Sequence, residues 1–204
     1  MHYWKVLFIV FVIIGFGFRQ AERQYKSFII KENKEKPKID SFIVTQSFDF
    51  SETMSLEFGQ SSKHNAGVGF IQFDKLTGKE NFRDIIPGQE DFISPRFFKT
   101  ADSLDPVLLM CTNGSGYAYH VSIYKIEKNK IEKVGKMDLA LNLDPTKFST
   151  DPVPYAKMAI NDSAISFSFT KAVAINFQEK SQKNYQEGHI KYTYCKGILS
   201  METR

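Results

Sequence analysis

The stretch AISFSFT at residues 164–170 sets Ile165, Phe167 and Phe169 against Ser166, Ser168 and Thr170 in strict alternation. A helix would scatter those apolar side chains around its circumference. A strand gathers them on one face and leaves the hydroxyls on the other, so a period of two marks a half-buried β-strand. Working outward, Val173, Ile175 and Phe177 form a partner run, and the same spacing returns in Phe42, Val44, Phe48 and Phe50 and in Met54, Leu56 and Phe58. Further strands are predicted over residues 68–73, 107–112, 117–127, 131–143 and 190–198. Turn dipeptides fall between the runs, among them Thr77-Gly78, Pro87-Gly88, Asn113-Gly114, Asp144-Pro145 and Asn161-Asp162.

Roughly ten to twelve strands separated by turns predict an all-β domain, an antiparallel sandwich or barrel. Helix is expected only in short pieces, at 98–104 or 178–186. Residues 106–143 form the most self-contained unit: an apolar strand, a glycine-bearing loop, a long tyrosine-rich strand, a tight turn and another long strand. No period of 20–50 residues repeats, which argues against a propeller or solenoid.

Upstream, MHYWKVLFIVFVIIGFGF carries one lysine, Lys5, and then an uncharged apolar run from Val6 to Phe18. This is the shape of a secretory signal and falls short of the ~20 residues of a membrane-spanning helix. The expectation is a hydrophobic N-terminal helix acting as a signal peptide over residues 1–18, and a secreted or periplasmic body. An uncleaved membrane anchor through residues 6–18 is the alternative, since Arg19, Arg23 and Lys26 put more positive charge after the run than before it. Residues 19–38 read as a basic flexible linker, 39–199 as a single β-domain, and 200–204 as a tail.

The formal charge of +4 divides unevenly. Residues 19–38 hold seven Lys/Arg against three Glu, whereas residues 39–204 hold 19 basic and 20 acidic groups. A nearly neutral body offers no field to draw in a polyanion, so nucleic acid is not an expected partner. Contact with a membrane is expected only through the N-terminal segment, where the basic stretch suits anionic headgroups if the chain stays tethered.

Cys111 and Cys195 both fall in apparent strands, 84 positions apart. In an oxidising compartment they could pair as a disulfide; the alternative is two separate buried thiols. Neither has CxxC or zinc-like spacing, and no calcium loop or histidine pair occurs, so no metal or cofactor is expected. The loop at Asn113-Gly114-Ser115-Gly116 lacks the following helix of a phosphate cradle and reads as a hairpin turn. Its serine lacks the spacing of a nucleophile elbow. Asn113-Gly-Ser115 and Asn161-Asp-Ser163 fit the N-glycosylation pattern, a match short enough to arise by chance.

No catalytic residue is assigned. The candidate binding residues are Tyr117, Tyr119 and His120 on the meander, with Tyr192 and Tyr194 if their strands share its face. Tyrosine pairs an apolar ring with a polar tip and so suits a recognition surface, although core packing is its commoner use. The leading expectation is an exported, non-enzymatic β-domain that binds a protein or cell-envelope component. One alternative is a β-barrel holding a small apolar ligand. Another is a hydrolase of envelope polymers, with a carboxylate pair drawn from Asp49, Glu52, Glu57, Asp74, Asp84, Glu90 and Asp91.

Overall fold

The computed structural model describes residues 21–62, 67–88, 90–115, 118–141, 151–175 and 181–204. The expected N-terminal helix lies outside the described residues. In chain order the strands are β1 (Arg23–Gln24), β2 (Lys26–Phe28), β3 (Phe42–Asp49), β4 (Met54–Ser61), β5 (Val68–Asp74), β6 (Glu80–Ile86), β7 (Phe92–Lys99), β8 (Val107–Gly114), β9 (Ala118–Glu127), β10 (Lys130–Met137) and β11 (Leu139–Leu141). After a short 3-10 turn at Val153–Tyr155 come β12 (Ala156–Asn161), β13 (Ala164–Phe169), β14 (Val173–Ile175), β15 (Lys183–Tyr185), β16 (Ile190–Cys195) and β17 (Ile198–Thr203). The chain is all-β, as the alternation predicts. It has more strands than expected because several are only two or three residues long. Neither expected helical piece is helix where it is described: β7 runs through Lys99, and residues 183–185 are strand, while 178–180 lie outside the described residues.

Among the described residues all strand pairs are antiparallel, in four sheets ordered β1-β12-β13-β16-β17, β10-β9-β8-β7-β2, β3-β4-β5-β6 and β11-β14-β15. The sheet built around β8 is the middle layer of a three-layer sandwich. On one of its faces Leu108, Met110, Val121 and Ile123 join Met158, Ile165, Phe167, Phe169, Tyr192 and Tyr194 in a first core. On the other, Leu109, Cys111, Tyr124 and Ile126 join Met54, Leu56, Phe58, Val68 and Phe70 in a second. This is why β8 reads Val-Leu-Leu-Met-Cys without alternation: a strand covered on both faces needs an apolar side chain at every position. β13 lines only one core, and its burial alternates residue by residue.

The four-stranded sheet is curled. Gly59 and Gly69 pair across β4 and β5 on the side away from the middle sheet. A Cβ on Gly59 would sit 2.0 Å from the Ile43 carbonyl oxygen, and one on Gly69 would sit 2.0 Å from that of Asp84. Only glycine permits so close an approach of the flanking strands.

The basic stretch 19–38, expected to be a flexible linker, is instead a strap across all three layers where it is described. β1 pairs with β12, β2 pairs with β7, and Glu32 and Asn33 engage β3. Tyr25 is buried in the first core, and Arg23 makes two 2.7 Å bonds to the Asp105 carboxylate. Lys36 Nζ bonds to the Thr45 carbonyl. The tail expected at 200–204 is likewise mostly strand, as β17 extends to Thr203.

The two cysteines are free. Cys111 is buried in the second core, between the middle sheet and the curled one, whereas Cys195 ends β16 in another sheet at a half-buried position. The disulfide expectation is therefore corrected to two separate thiols. Burial pushes the Cys111 thiol pKa well up.

Candidate functional site

The meander expected over 106–143 forms the heart of the middle sheet, and its far end carries a buried polar group. Ile93, Asn113 and His120 stand side by side on β7, β8 and β9. Period-two alternation puts all three on the face that packs on the curled sheet, the face of Leu109, Cys111 and Tyr124. Glu90 closes the row, its Oε1 3.3 Å from His120 Nε2. The loop before β7 is pinned in place. Asp91 donates its N–H to the Gly114 carbonyl at 2.9 Å, and its own carbonyl accepts from Gln60 Nε2 at 2.6 Å. Beside this row a cavity of about 170 Å3 is lined by Thr45, Gly59, Gln60, Val68, Asp91, Phe92 and Ile93.

Asn113 has no solvent exposure, and among the described residues neither its Oδ1 nor its Nδ2 has a hydrogen-bond partner. Glu90 Oε2 is in the same condition. A buried amide can make several hydrogen bonds, and leaving it unsatisfied costs about 1–3 kcal/mol. His120 is 2% exposed, and loss of water lowers its pKa to about 4, with Lys136 lowering it further and Asp138 acting the other way. At pH 7 the imidazole is therefore neutral, and its contact with Glu90 is not an ion pair. The arrangement offers an amide, an imidazole and a carboxylate to a small polar group.

Of the five binding residues read from the sequence, His120 is placed at this site. Tyr117 and the side chain of Tyr119 lie outside the described residues. Tyr192 and Tyr194 belong elsewhere: both point into the first core, on the opposite side of the middle sheet. Their alternation with Lys191 and Thr193 is that of a core-lining strand, and the Tyr194 hydroxyl bonds to Glu132 at the rim. Asn113 and Glu90 were not legible as site residues, because Asn-Gly is the ordinary hairpin signal and Glu90 is one carboxylate among many. Burial of Asn113 also closes its glycosylation pattern, whereas Asn161 is exposed before a turn.

Most of the carboxylates considered for a catalytic pair are engaged. Asp49 pairs with Lys75, Asp84 with Lys133 and the Tyr124 hydroxyl, and Asp74 accepts from the turn N–H groups of Leu76 and Thr77. Glu57 differs. It is 2% exposed on the outer face of the curled sheet, bonded to Ser47 and Ser55 with Oε2 unpartnered, and loss of water raises its pKa. Asp49, one ladder step away on the same face, is held below the ordinary range by Lys75 and Asn33. Among the described residues no group of three or more His, Cys, Asp or Glu side chains converges to hold a metal.

No family model, curated protein or solved structure matches this chain.

Proposed function

We propose that this chain is an exported, non-enzymatic binding domain. Its recognition point is the polar end of the cleft between the middle and curled sheets, which receives a polar group of a protein or cell-envelope component. One observation carries the reading: Asn113 is wholly buried, both its amide atoms lack a partner among the described residues, and its ladder neighbour Ile93 lines the cavity. A fold tolerates such a deficit where function requires it, and a ligand carrying its own donor and acceptor would supply the missing bonds. The two interlayer spaces are filled by packed side chains, which weighs against a barrel holding an apolar ligand.

The test is Asn113→Leu, of similar volume and without polar atoms. Denaturation midpoints are expected to rise, by about 1–3 kcal/mol of stability. In a protein-observed NMR screen of free amino acids and monosaccharides, the native chain is expected to shift at Glu90, Asn113 and His120, and the variant to be silent. A less stable variant, together with a native chain silent to every probe, would make Asn113 a structural residue and end the proposal.

A second reading, hydrolysis by paired carboxylates, has the Glu57–Asp49 pair in its favour, since environments that push two pKa values apart suit an acid and a base. It ranks lower because both carboxyls are already engaged, Glu57 by Ser47 and Ser55 and Asp49 by Lys75 and Asn33.

A further inference from the structure

The strap fixes its cations on the body, and two of them stand opposed. Lys26 of β2 is directly across the ladder from Lys99 of β7, so both side chains leave the same face of the sheet. Like charges placed directly opposite destabilise a strand pair. No carboxylate relieves this one: among the described residues neither lysine forms an ion pair. Lys99 Nζ lies 4.8 Å over the Phe28 ring, which orients the cation without neutralising it. Both lysines line a groove of about 350 Å3 with Arg23, Gln24, Ser27, Thr100 and Ala101. Arg23 is already held by Asp105, so the uncompensated charge is that of Lys26 and Lys99.

The place of this groove in the chain indicates what fills it. Arg23 follows the apolar run that ends at Phe18 by five residues. At no more than about 3.6 Å per residue, the Arg23 end of the groove lies within about 18 Å of the end of that run, and Lys26 within about 29 Å. When the run enters a bilayer, these two ammonium groups are therefore tethered near its surface, within reach of lipid phosphates. We infer that the Lys26–Lys99 groove seats the body on a membrane by binding the phosphate of anionic lipid headgroups. The inference takes residues 6–18 as a retained anchor, and it does not depend on the binding role proposed above, which concerns the polar end of the cleft around Asn113.

The test uses the full chain in a flotation assay with two kinds of vesicle, phosphatidylcholine alone and phosphatidylcholine mixed with phosphatidylglycerol. The apolar run contributes to both, so the ratio of the two affinities isolates the headgroup term. Each lysine near an anionic surface is worth about fivefold. The double variant Lys26→Glu, Lys99→Glu is expected to lose at least twentyfold of the preference for phosphatidylglycerol, as is the native chain in high salt. Lys130→Glu, on the far edge of the same sheet, makes a smaller change of charge at a remote place and is expected to leave the preference intact. Three results would overturn the inference: a double variant with the native preference, a Lys130→Glu loss equal per charge, or displacement from vesicles by millimolar inorganic phosphate. The last would mark the groove as a site for a free anion.

Discussion

A single imidazole shows how burial turns sequence into a pH response. His120 has a pKa near 4 in the fold, against 6.5 for an exposed histidine, because its burial disfavours the cation. Below pH 6.5 the unfolded chain takes a proton that the folded chain refuses. The stability contributed by the neutral imidazole is therefore complete above pH 6.5 and is lost as pH falls toward 4. The shift corresponds to at most about 3 kcal/mol. Urea midpoints at pH 7 and pH 4.5 should differ for the native chain and differ much less for His120→Gln. The comparison of variant with native chain is needed because Glu57, whose pKa is raised, acts in the opposite sense and loses stability as pH rises. An unchanged pH slope in His120→Gln would show that the histidine is not held neutral. From the sequence, His120 was legible only as a residue among small neighbours. Its partners, Asn113 and Glu90, come from β8 and from the loop before β7, and local sequence does not report such convergence.

Among the elements, legibility follows strand length and the number of covered faces. β13 and β16 each have six residues and one buried face, so their alternation is plain in the sequence. The long apolar run of β8 marks a strand, but not the fact that its two faces serve two different cores. β1 and β2 leave no pattern at all: two and three residues are too few for a period, and their charge suggests solvent. They are held by edge pairing and by single anchors, chiefly Tyr25 in the first core. Tyr25→Ala should therefore cost about 3 kcal/mol in equilibrium unfolding, the range for a large aromatic removed from a core. Tyr25→Phe removes a buried hydroxyl that has no partner among the described residues, and so should cost nothing or stabilise slightly. A flexible linker would register neither change, so a silent Tyr25→Ala would contradict the strap.

At the scale of the molecule, the middle sheet makes the two cores one cooperative unit, because β7, β8 and β9 contribute side chains to both. Cys111 reports on this directly, since it is fully buried in that sheet and its thiol is protonated by burial. In native protein without reductant, a thiol reagent should label half-buried Cys195 first and reach Cys111 only through opening of the fold. Neighbouring side chains on β8 then separate the two cores: Leu109 faces the curled sheet with Cys111, while Met110 faces away from it. Leu109→Ala and Met110→Ala each remove a buried side chain worth about 3 kcal/mol. If opening is global, both variants should speed Cys111 labelling by about a hundredfold under conditions where reclosing outruns the reagent. If the layers open separately, Leu109→Ala alone will speed it, because the core on the Cys111 side can then part without disturbing the one behind. The shared strands favour the first outcome. β7, β8 and β9 are each ordered by contacts on both faces, so neither core can lose its packing while the other keeps that sheet intact.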